Sequence, residues 1–228
     1  MLDIVQLIVL CLRGKMIILE LFAGTRSISK AFEEKGHKSY SIEWNRNFKD
    51  ITLYEDINNL TKAKIIDLLG GVRPDIIWAS PDCTTYSIAS ISHHRKYENG
   101  KLIPVSNYAK FCDKTNIHVL ELIKELKPKY WFIENPRGCL RKMDFMQNLQ
   151  RYTVTYCQYG DIRMKPTDIW TNHPNPNFKP MCKNGDKCHE SAPRGSHTGT
   201  QGLKNKIERA VIPKELCEHI VKICEDNI

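Results

Sequence analysis

Short, unbroken apolar segments bounded by turn residues constrain the fold of this chain more than any other feature. They run from Met16 to Phe22, from Asp75 to Ala79 and from Tyr130 to Ile133. Such segments are typical of strands in a parallel sheet that helices cover on both faces. Helix-like patterns lie between them, at Ser27–Lys35, Thr61–Leu69 and Ala109–Lys127. This alternation predicts an α/β domain of the nucleotide-binding type with a mostly parallel sheet.

Weaker patterns supply the remaining predicted elements. Lys38–Glu43 predicts a second strand, and Asp56-Ile57 ends a third short element. The later part of the chain predicts a helix, two strands and a final helix, at Met143–Leu149, Tyr152–Tyr159, Asp168–Thr171 and about Pro213–Glu225. In the helix 109–127, the predicted buried face consists of Phe111, Ile117, Leu120, Ile123 and Leu126.

Residues able to bind or react follow the predicted strands directly. Gly24 follows the first strand in a tight turn, Glu43 ends the second, and Cys83 and Glu134 follow the fourth and fifth. The carboxyl ends of parallel strands meet at one edge of a sheet, where ligands bind. A glycine turn before a helix suits a nucleotide, and a cysteine at a strand end is placed to attack a substrate. An ordinary turn and a buried structural cysteine are the alternatives on these residues alone.

Five short motifs, in order along the chain, resemble those of the DNA cytosine-C5 methyltransferase family. LELFAGTRSISKAF at 19–32 is similar to the cofactor-binding motif, ASPDCTTYS at 79–87 to the cysteine motif, and ENPRG at 134–138 to the ENV-type motif. QYGDIRMKPTDIW at 158–170 resembles the QYG-x-x-R-type motif, and ERAVIPKELCEHI at 208–220 resembles the closing motif. The similarity covers about residues 16–170 and 200–224. Small phage-encoded members, of the kind used in restriction–modification, resemble the chain most.

The resemblance implies a fold, a reaction and a set of site residues. The fold is a three-layer, Rossmann-like S-adenosylmethionine-dependent methyltransferase domain with a small, loop-rich C-terminal insertion. The reaction is cytosine C5 methylation in double-stranded DNA, in which Cys83 adds to C6 and Glu134 assists at N3. Arg163 and Lys165 are the available cations of the arginine-type motif. Contacts to the cofactor would come from Phe22, Ala23, Gly24, Thr25, Glu43, Trp44, Asp56, Ile57 and Ser80.

Three departures from the family pattern bear on this prediction. Arg26 stands where a second glycine is usual, so the turn must differ or the side chain must point away. Asp82 replaces the usual proline before Cys83, and a neighbouring carboxylate disfavours a thiolate. The target-recognition region is reduced to the segment 173–205. An RNA cytosine methyltransferase of the tRNA type and a catalytically silent nucleic-acid-binding protein are therefore the alternative functions.

The predicted organisation has four parts. Residues 1–15 are an N-terminal extension, either an appended helix or sequence upstream of a true start at Met16, and their apolar stretch is too short to span a bilayer. Residues 16–172 are the catalytic domain. Residues 173–205 are a reduced recognition segment, and residues 206–228 are a helix that returns to the catalytic domain.

The segment 173–205 also carries a candidate metal site. Cys182, Cys188 and His189 are zinc-type ligands, although Cys-x5-Cys-His is not a standard spacing. A fourth ligand could come from Cys157, which we include in the predicted site, or from His173. The alternatives are one structural Zn²⁺ that staples a loop-rich segment and three solvent-facing residues in a loop.

Charge and cysteine content indicate the partner and the compartment. The net charge of +8 suits a polyanion such as DNA. The polar segment Thr84–Val105 lacks clear periodicity and is predicted to be a loop whose basic residues contact phosphates: His93, His94, Arg95, Lys96 and Lys101. The small recognition segment predicts a short target or a partner that supplies specificity. Nine irregularly spaced cysteines favour the reducing cytoplasm of a bacterial or phage-infected cell, and we expect a monomer without membrane association.

Overall fold

The fold is described for residues 14–183, 185–190 and 205–226 of a computed structural model. The predicted N-terminal extension, apart from residues 14 and 15, lies outside the described residues. The same holds for residues 191–204 of the predicted recognition segment.

A six-stranded, mostly parallel sheet forms the centre of the domain. The strands of the chain are β1 (Ile17–Leu21), β2 (Lys38–Ile42), β3 (Ile76–Ala79), β4 (Arg95–Glu98), β5 (Lys101–Pro104), β6 (Tyr130–Pro136), β7 (Arg151–Thr155) and β8 (Pro166–Thr171). The central sheet has the order β2-β1-β3-β6-β8-β7, and β4 and β5 form a separate hairpin. The pairs β2-β1, β1-β3 and β3-β6 are parallel, whereas β8 runs antiparallel to both of its neighbours.

Helices cover both faces of this sheet. They are α1 (Ser27–Glu34), α2 (Lys62–Leu68), α3 (Ile91–His94), α4 (Asn107–Leu126), α5 (Lys206–Ala210) and α6 (Lys214–Glu225). Leu19 of β1 packs in one buried cluster with residues of α2 and α4, whereas Ile18 packs in the other with residues of α1 and α6. Alternate side chains of one strand therefore enter two different cores, as expected for a sheet covered on both sides. The predicted three-layer, Rossmann-like methyltransferase architecture is confirmed.

The strand order determines where a ligand can bind. The chain passes from β1 to β2 on one side, then crosses to β3 on the other side of β1. Ligands bind at such a switch point, outside the carboxyl ends of the strands. The turn after β1 and the cysteine segment after β3 both lie at this point.

Three local predictions differ from the structure. Residues 143–149 do not form the predicted helix. The chain makes two 3₁₀ turns, Leu140–Lys142 and Asp144–Met146, which bury Met143 and Met146. β7 ends at Thr155 rather than Tyr159, because a 3₁₀ turn closed by Gly160 in the left-handed region takes the chain out of the sheet. The segment 84–105 is not irregular: it contains a 3₁₀ turn, α3 and the β4–β5 hairpin.

The buried face of α4 is also rotated from the predicted one. Phe111 and Ile117 are 45% and 41% exposed, whereas Thr115 and Asn116 are buried. The Asn116 amide donates to the Tyr86 hydroxyl, and the Thr115 hydroxyl accepts from the Asn58 amide. Polar side chains with satisfied hydrogen bonds can therefore occupy the buried face, which a pattern of apolar residues does not reveal. Among the described residues, no helix combines the length and apolar content needed to cross a membrane.

Candidate active site

The turn after β1 depends on residues in the left-handed backbone region. Phe22, Gly24 and Arg26 have φ angles of +55°, +48° and +58°. This region costs a non-glycine residue about 1–2 kcal/mol. Arg26 nevertheless adopts it, and its guanidinium turns back to contact the carboxylate of Glu33 and the hydroxyl of Ser39. Of the two predicted alternatives, the structure shows the second: the arginine points away, and it lines neither of the two cavities described below.

A cavity of about 370 Å³, here called the first cavity, lies beside this turn. Four of the residues predicted to contact the cofactor line it: Phe22, Trp44, Asp56 and Ile57. The first turns of α4 contribute Tyr108 and Phe111, both of which are partly exposed. A cavity of this size, lined mainly by aromatic and apolar side chains with the two carboxylates of Asp56 and Asp82, suits a small organic ligand.

A second cavity of about 440 Å³ adjoins the first, because Phe22, Pro81 and Asp82 line both. It contains the other predicted cofactor contacts of the turn and of β3: Ala23, Gly24, Thr25 and Ser80. Cys83, Glu134 and Lys165 line it as well. The segment that precedes α6 closes it with Arg209, Ala210 and Ile212. Five separate parts of the chain thus meet in one cavity.

Two buried carboxylates hold the backbone of the turn after β1 and of the start of α1. Glu20 accepts hydrogen bonds from the backbone N–H groups of Ile28 and Ser29, at 3.3 and 2.9 Å, and its burial raises its pKa from 4.5 to about 7. Glu43 accepts from the N–H groups of Gly24 and Asn45, at 3.1 and 2.9 Å. Glu43 lines neither cavity, in contrast to its predicted contact with the cofactor. One of its oxygens instead fixes the backbone of Gly24, which lines the second cavity, and the other fixes Asn45, next to Trp44 of the first cavity.

Cys83 lies at the start of the 3₁₀ turn Thr84–Tyr86, with its thiol partly buried. Burial is the largest of the causes that raise its pKa to about 11. The carboxylates of Asp82 and Glu134 raise the pKa further, and the Lys165 ammonium group opposes them. The surroundings of Cys83 therefore favour the neutral thiol over the thiolate.

Glu134 is held by a tyrosine. The carboxylate is buried on β6, and its Oε1 accepts a hydrogen bond from the hydroxyl of Tyr156 at 3.0 Å. Tyr156 is itself fully buried. One oxygen of Glu134 is thus fixed, and the residue still lines the second cavity.

Of the two predicted cations, Lys165 lines the cavity and Arg163 does not. The Lys165 ammonium donates to the carbonyl of Arg209 at 2.8 Å and lies 4.4 Å from the ring centre of Tyr156. Burial lowers its pKa, against the effect of Glu134. The buried guanidinium of Arg163 pairs with the carboxylate of Asp161, which fixes the turn rather than entering the cavity.

The predicted phosphate-binding residues divide into two groups. His93, Lys96 and Lys101 are exposed; Lys96 pairs with Glu98, and Lys101 pairs with Asp144. His94 is half-buried and hydrogen-bonded to Ser106.

Arg95 is the exception, because it is buried and unavailable to a phosphate. Its guanidinium pairs with both carboxylate oxygens of Asp113, at 3.0 and 2.7 Å, and donates to the Thr85 carbonyl at 2.8 Å. It also stacks over the ring of Tyr86, 4.3 Å from the ring centre. The prediction for Arg95 was wrong: it anchors the β4–β5 hairpin to the segment that follows Cys83.

The four predicted metal ligands lie together. The ligand atoms of Cys157, Cys182, Cys188 and His189 are all within 4.8 Å of one another. The Sγ atoms of Cys157 and Cys182 are 3.0 Å apart, and those of Cys188 and Cys157 are 3.6 Å apart. His173, the alternative fourth ligand, is instead buried beneath the ring of Tyr130 and bonded to the carbonyl of Ile223.

Sequence reasoning missed two residues of this site. Tyr156 lies two residues before the QYG-type motif, and this nearness is the one signal that could have indicated a role at the site. Asp113 gave no signal, because its pairing with Arg95 joins segments that only the folded hairpin brings together.

Comparisons with known proteins indicate the family of the chain. The family model described as C-5 cytosine-specific DNA methylase matches residues 16–156. The chain is also 24% identical over 227 residues to a protein of Frog virus 3 (isolate Goorha) described as a probable DNA (cytosine-5)-methyltransferase. That match covers 92% of this chain and 100% of the viral protein.

Solved structures of similar fold include an Escherichia coli prophage protein described as a candidate DNA modification methyltransferase. Its TM-score is 0.52 at 16% identity, over 69% of this chain and 46% of that one. The Entamoeba histolytica methyltransferase EhMeth has a TM-score of 0.49 at 16% identity, over 69% of this chain and 52% of that one. The chain thus spans about half the length of these structures. At this identity, the likeness to the prophage protein concerns the fold alone.

Proposed function

Because the chain belongs to the C-5 cytosine-specific DNA methylase family, we propose that it methylates cytosine at C5 in double-stranded DNA through a covalent adduct with Cys83. The proposal rests on one observation above all. Cys83, Glu134 and Lys165 line a cavity that shares a wall with the first cavity. A cytosine in the second cavity and a methyl donor in the first would meet at this wall.

S-adenosylmethionine, the usual cofactor of the family, is the ligand we propose for the first cavity. The side chains of Phe22, Trp44 and Ile57 offer the apolar surfaces that an adenine ring needs, and Asp56 offers a carboxylate to its polar groups. When bound, the cofactor supplies an electrophilic methyl group. Glu43 would act on it indirectly, by holding the N–H of Gly24 and thereby the shape of the turn.

The reaction needs a nucleophile because C5 of cytosine is itself a poor one. Addition of the Cys83 sulfur at C6, with a proton from Glu134 at N3, turns C5 into an enamine carbon that can accept a methyl group. Loss of the C5 proton and of the cysteine then restores the aromatic ring. The Lys165 ammonium, beside both groups, would offset the negative charge of the attacking thiolate. The target base must leave the duplex stack to reach this cavity.

The exposed residues His93, Lys96 and Lys101 of the segment 91–101 are proposed as phosphate contacts. They lie on or next to the β4–β5 hairpin, which Arg95 anchors to the segment after Cys83. Phosphate contacts position a protein on DNA without reading its sequence. A short target, or a partner protein that supplies specificity, fits this arrangement.

The test is covalent trapping on DNA that contains 5-fluorocytosine, with methylation measured by bisulfite sequencing. Cys83→Ser should abolish both signals, whereas Cys224→Ala, in the core of α6, should retain both. Glu134→Gln should lower the rate by roughly 10²–10⁴, the range for a positioned acid. Methylation by Cys83→Ser at the wild-type rate would refute the proposal. Trapping on RNA but not on DNA would assign the site to an RNA substrate instead.

We also propose that Cys157, Cys182, Cys188 and His189 bind one structural Zn²⁺. A tetrahedral ion with bonds of about 2.0–2.3 Å separates its ligands by roughly 3.3–3.8 Å. The separations of neighbouring ligand atoms here run from 3.0 to 3.8 Å. Metal analysis of the purified protein should find one equivalent of zinc, and Cys182→Ser should lose it. If the purified protein contains no metal, and its melting temperature does not change when a chelator is added, this site is excluded.

A further inference from the structure

The loop 156–165, here called the active-site loop, carries two groups to the second cavity. At its start, the hydroxyl of Tyr156 donates to Glu134 at 3.0 Å. At its end, Lys165 lines the cavity and reaches the carbonyl of Arg209. A backbone hydrogen bond from the N–H of Tyr156 to the carbonyl of Met164, at 2.9 Å, closes the loop. Both groups therefore depend on how the loop is held.

The segment 179–190, here called the metal segment, holds this loop at several points. The N–H of Cys182 donates to the Thr155 hydroxyl at 3.1 Å, just before the loop begins. The N–H of Lys179 donates to the hydroxyl of Tyr159, and the N–H of Glu190 donates to the carbonyl of Ile162, both at 2.8 Å. The metal segment thus contacts the loop near its start, middle and far side.

The metal segment has little else to keep it in place. Of its residues that the structure describes, Cys182 alone is buried. A segment without an apolar core of its own needs a staple to stay ordered. The ligand cluster offers one, because it joins Cys182, Cys188 and His189 of the segment to Cys157 of the loop.

We infer that the metal centre is a positioning device for the reaction: it holds the active-site loop and thereby sets Tyr156 against Glu134 and Lys165 beside Cys83. This inference rests on the zinc site proposed above. The first cavity takes its lining from the turn after β1, the cysteine segment, the residues near 44 and 56, and α4, and none of these belongs to the loop. Loss of the metal should therefore affect the reaction step and spare the binding of the cofactor.

Cys188 gives the sharpest test because it is the exposed ligand. Cys188→Ser should lose the zinc, whereas Cys188→His keeps a zinc ligand and Lys183→Ala alters only an exposed neighbour. Amide hydrogen exchange at residues 161–165 should become roughly tenfold faster in Cys188→Ser. kcat should fall by about 10- to 100-fold, as expected from a small displacement of reacting groups. The dissociation constant of S-adenosylmethionine should stay within about twofold, since its cavity is built elsewhere. Cys188→His should restore both exchange and kcat, and Lys183→Ala should leave them unchanged.

The results separate this inference from the proposals beneath it. If Cys188→Ser loses its zinc but residues 161–165 exchange at the wild-type rate, the positioning role is overturned. The proposal that the wild-type protein binds zinc would still stand. Wild-type protein that binds no metal would overturn both. The exchange and cofactor measurements need no turnover, so they decide the inference even where methylation of cytosine is not observed.

Discussion

Replacing Asp82 by asparagine should make Cys83 a more reactive thiol. The carboxylate of Asp82 is adjacent to Cys83 and is the second-largest cause of its raised pKa, after burial. Its Oδ1 accepts a hydrogen bond from the N–H of Thr84 at 2.6 Å, which keeps the charge beside the thiol. An asparagine can accept the same hydrogen bond without the charge, so the turn should survive the substitution.

The size of the effect follows from the pKa. At pH 8, a thiol with a pKa of about 11 is ionised in about one molecule in a thousand, against about one in ten at the ordinary value of 9.0. Burial accounts for the largest share of this rise, and Glu134 shares the remainder with Asp82. Removing the Asp82 charge should therefore lower the pKa of Cys83 by part of this rise. The thiolate fraction at pH 8 should increase, by less than the roughly hundredfold that separates a pKa of about 11 from one of 9.0.

The assay is alkylation of Cys83 by iodoacetamide between pH 7 and 10, followed at its own peptide by mass spectrometry. Asp82→Asn should shift the pH profile of the rate to lower pH. Asp67→Asn, an exposed acid of α2 that lines neither cavity, is the matched control. Identical profiles for the Asp82 variant and the wild type would refute the electrostatic reasoning. A shift in the control of the same size would show that net charge alone is responsible.

Three further substitutions test the supports of the site. Arg95→Ala should lower the free energy of unfolding by about 3–5 kcal/mol in urea titrations, because it leaves the carboxylate of Asp113 without its buried partner; Lys96→Ala, next to it and exposed, should change stability by less than about 0.5 kcal/mol. Glu20 has a folded-state pKa raised from 4.5 to about 7, so its ionisation costs stability as pH rises through that window. The melting temperature should therefore fall less between pH 4.5 and about 7 in Glu20→Gln than in the wild type. The same pH dependence in both proteins would contradict this. Arg26→Gly should relieve left-handed strain of about 1 kcal/mol while losing the contact with Glu33, so its melting temperature should change little, and a large loss would show that the ion pair dominates.

The fold was predictable because its signals are local and repeated. Each apolar segment such as Met16–Phe22 or Asp75–Ala79 identifies a strand without reference to the rest of the chain. The buried face of α4 was not predictable from the sequence. Its buried polar residues Thr115 and Asn116 form hydrogen bonds with Asn58 and Tyr86, which lie far away in sequence. The prediction of a helix at residues 143–149 was wrong for a related reason. Met143 and Met146 are buried as the apolar pattern suggests, but they reach the core from turns rather than from a helix.

The candidate site shows the same division. The order of the motifs predicted Cys83 and Glu134 as site residues, and in the structure both line one cavity with Lys165. Arg95 was misjudged because a basic residue in a polar segment resembles a phosphate ligand until its partner Asp113 is known. Tyr156 was overlooked because a strand was predicted to continue through it, which conceals the turn that directs its hydroxyl to Glu134.

The way α6 closes the second cavity has a consequence for protein synthesis. Arg209, Ala210 and Ile212 line that cavity, and α6 packs on α1 with Leu216, Ile220 and Val221 in the shared core. A domain generally folds as a unit. During synthesis, the second cavity therefore lacks the wall that residues 209–212 provide until α6 has emerged and docked on α1. The thiol of Cys83, which lines the same cavity, remains open on that side until α6 docks.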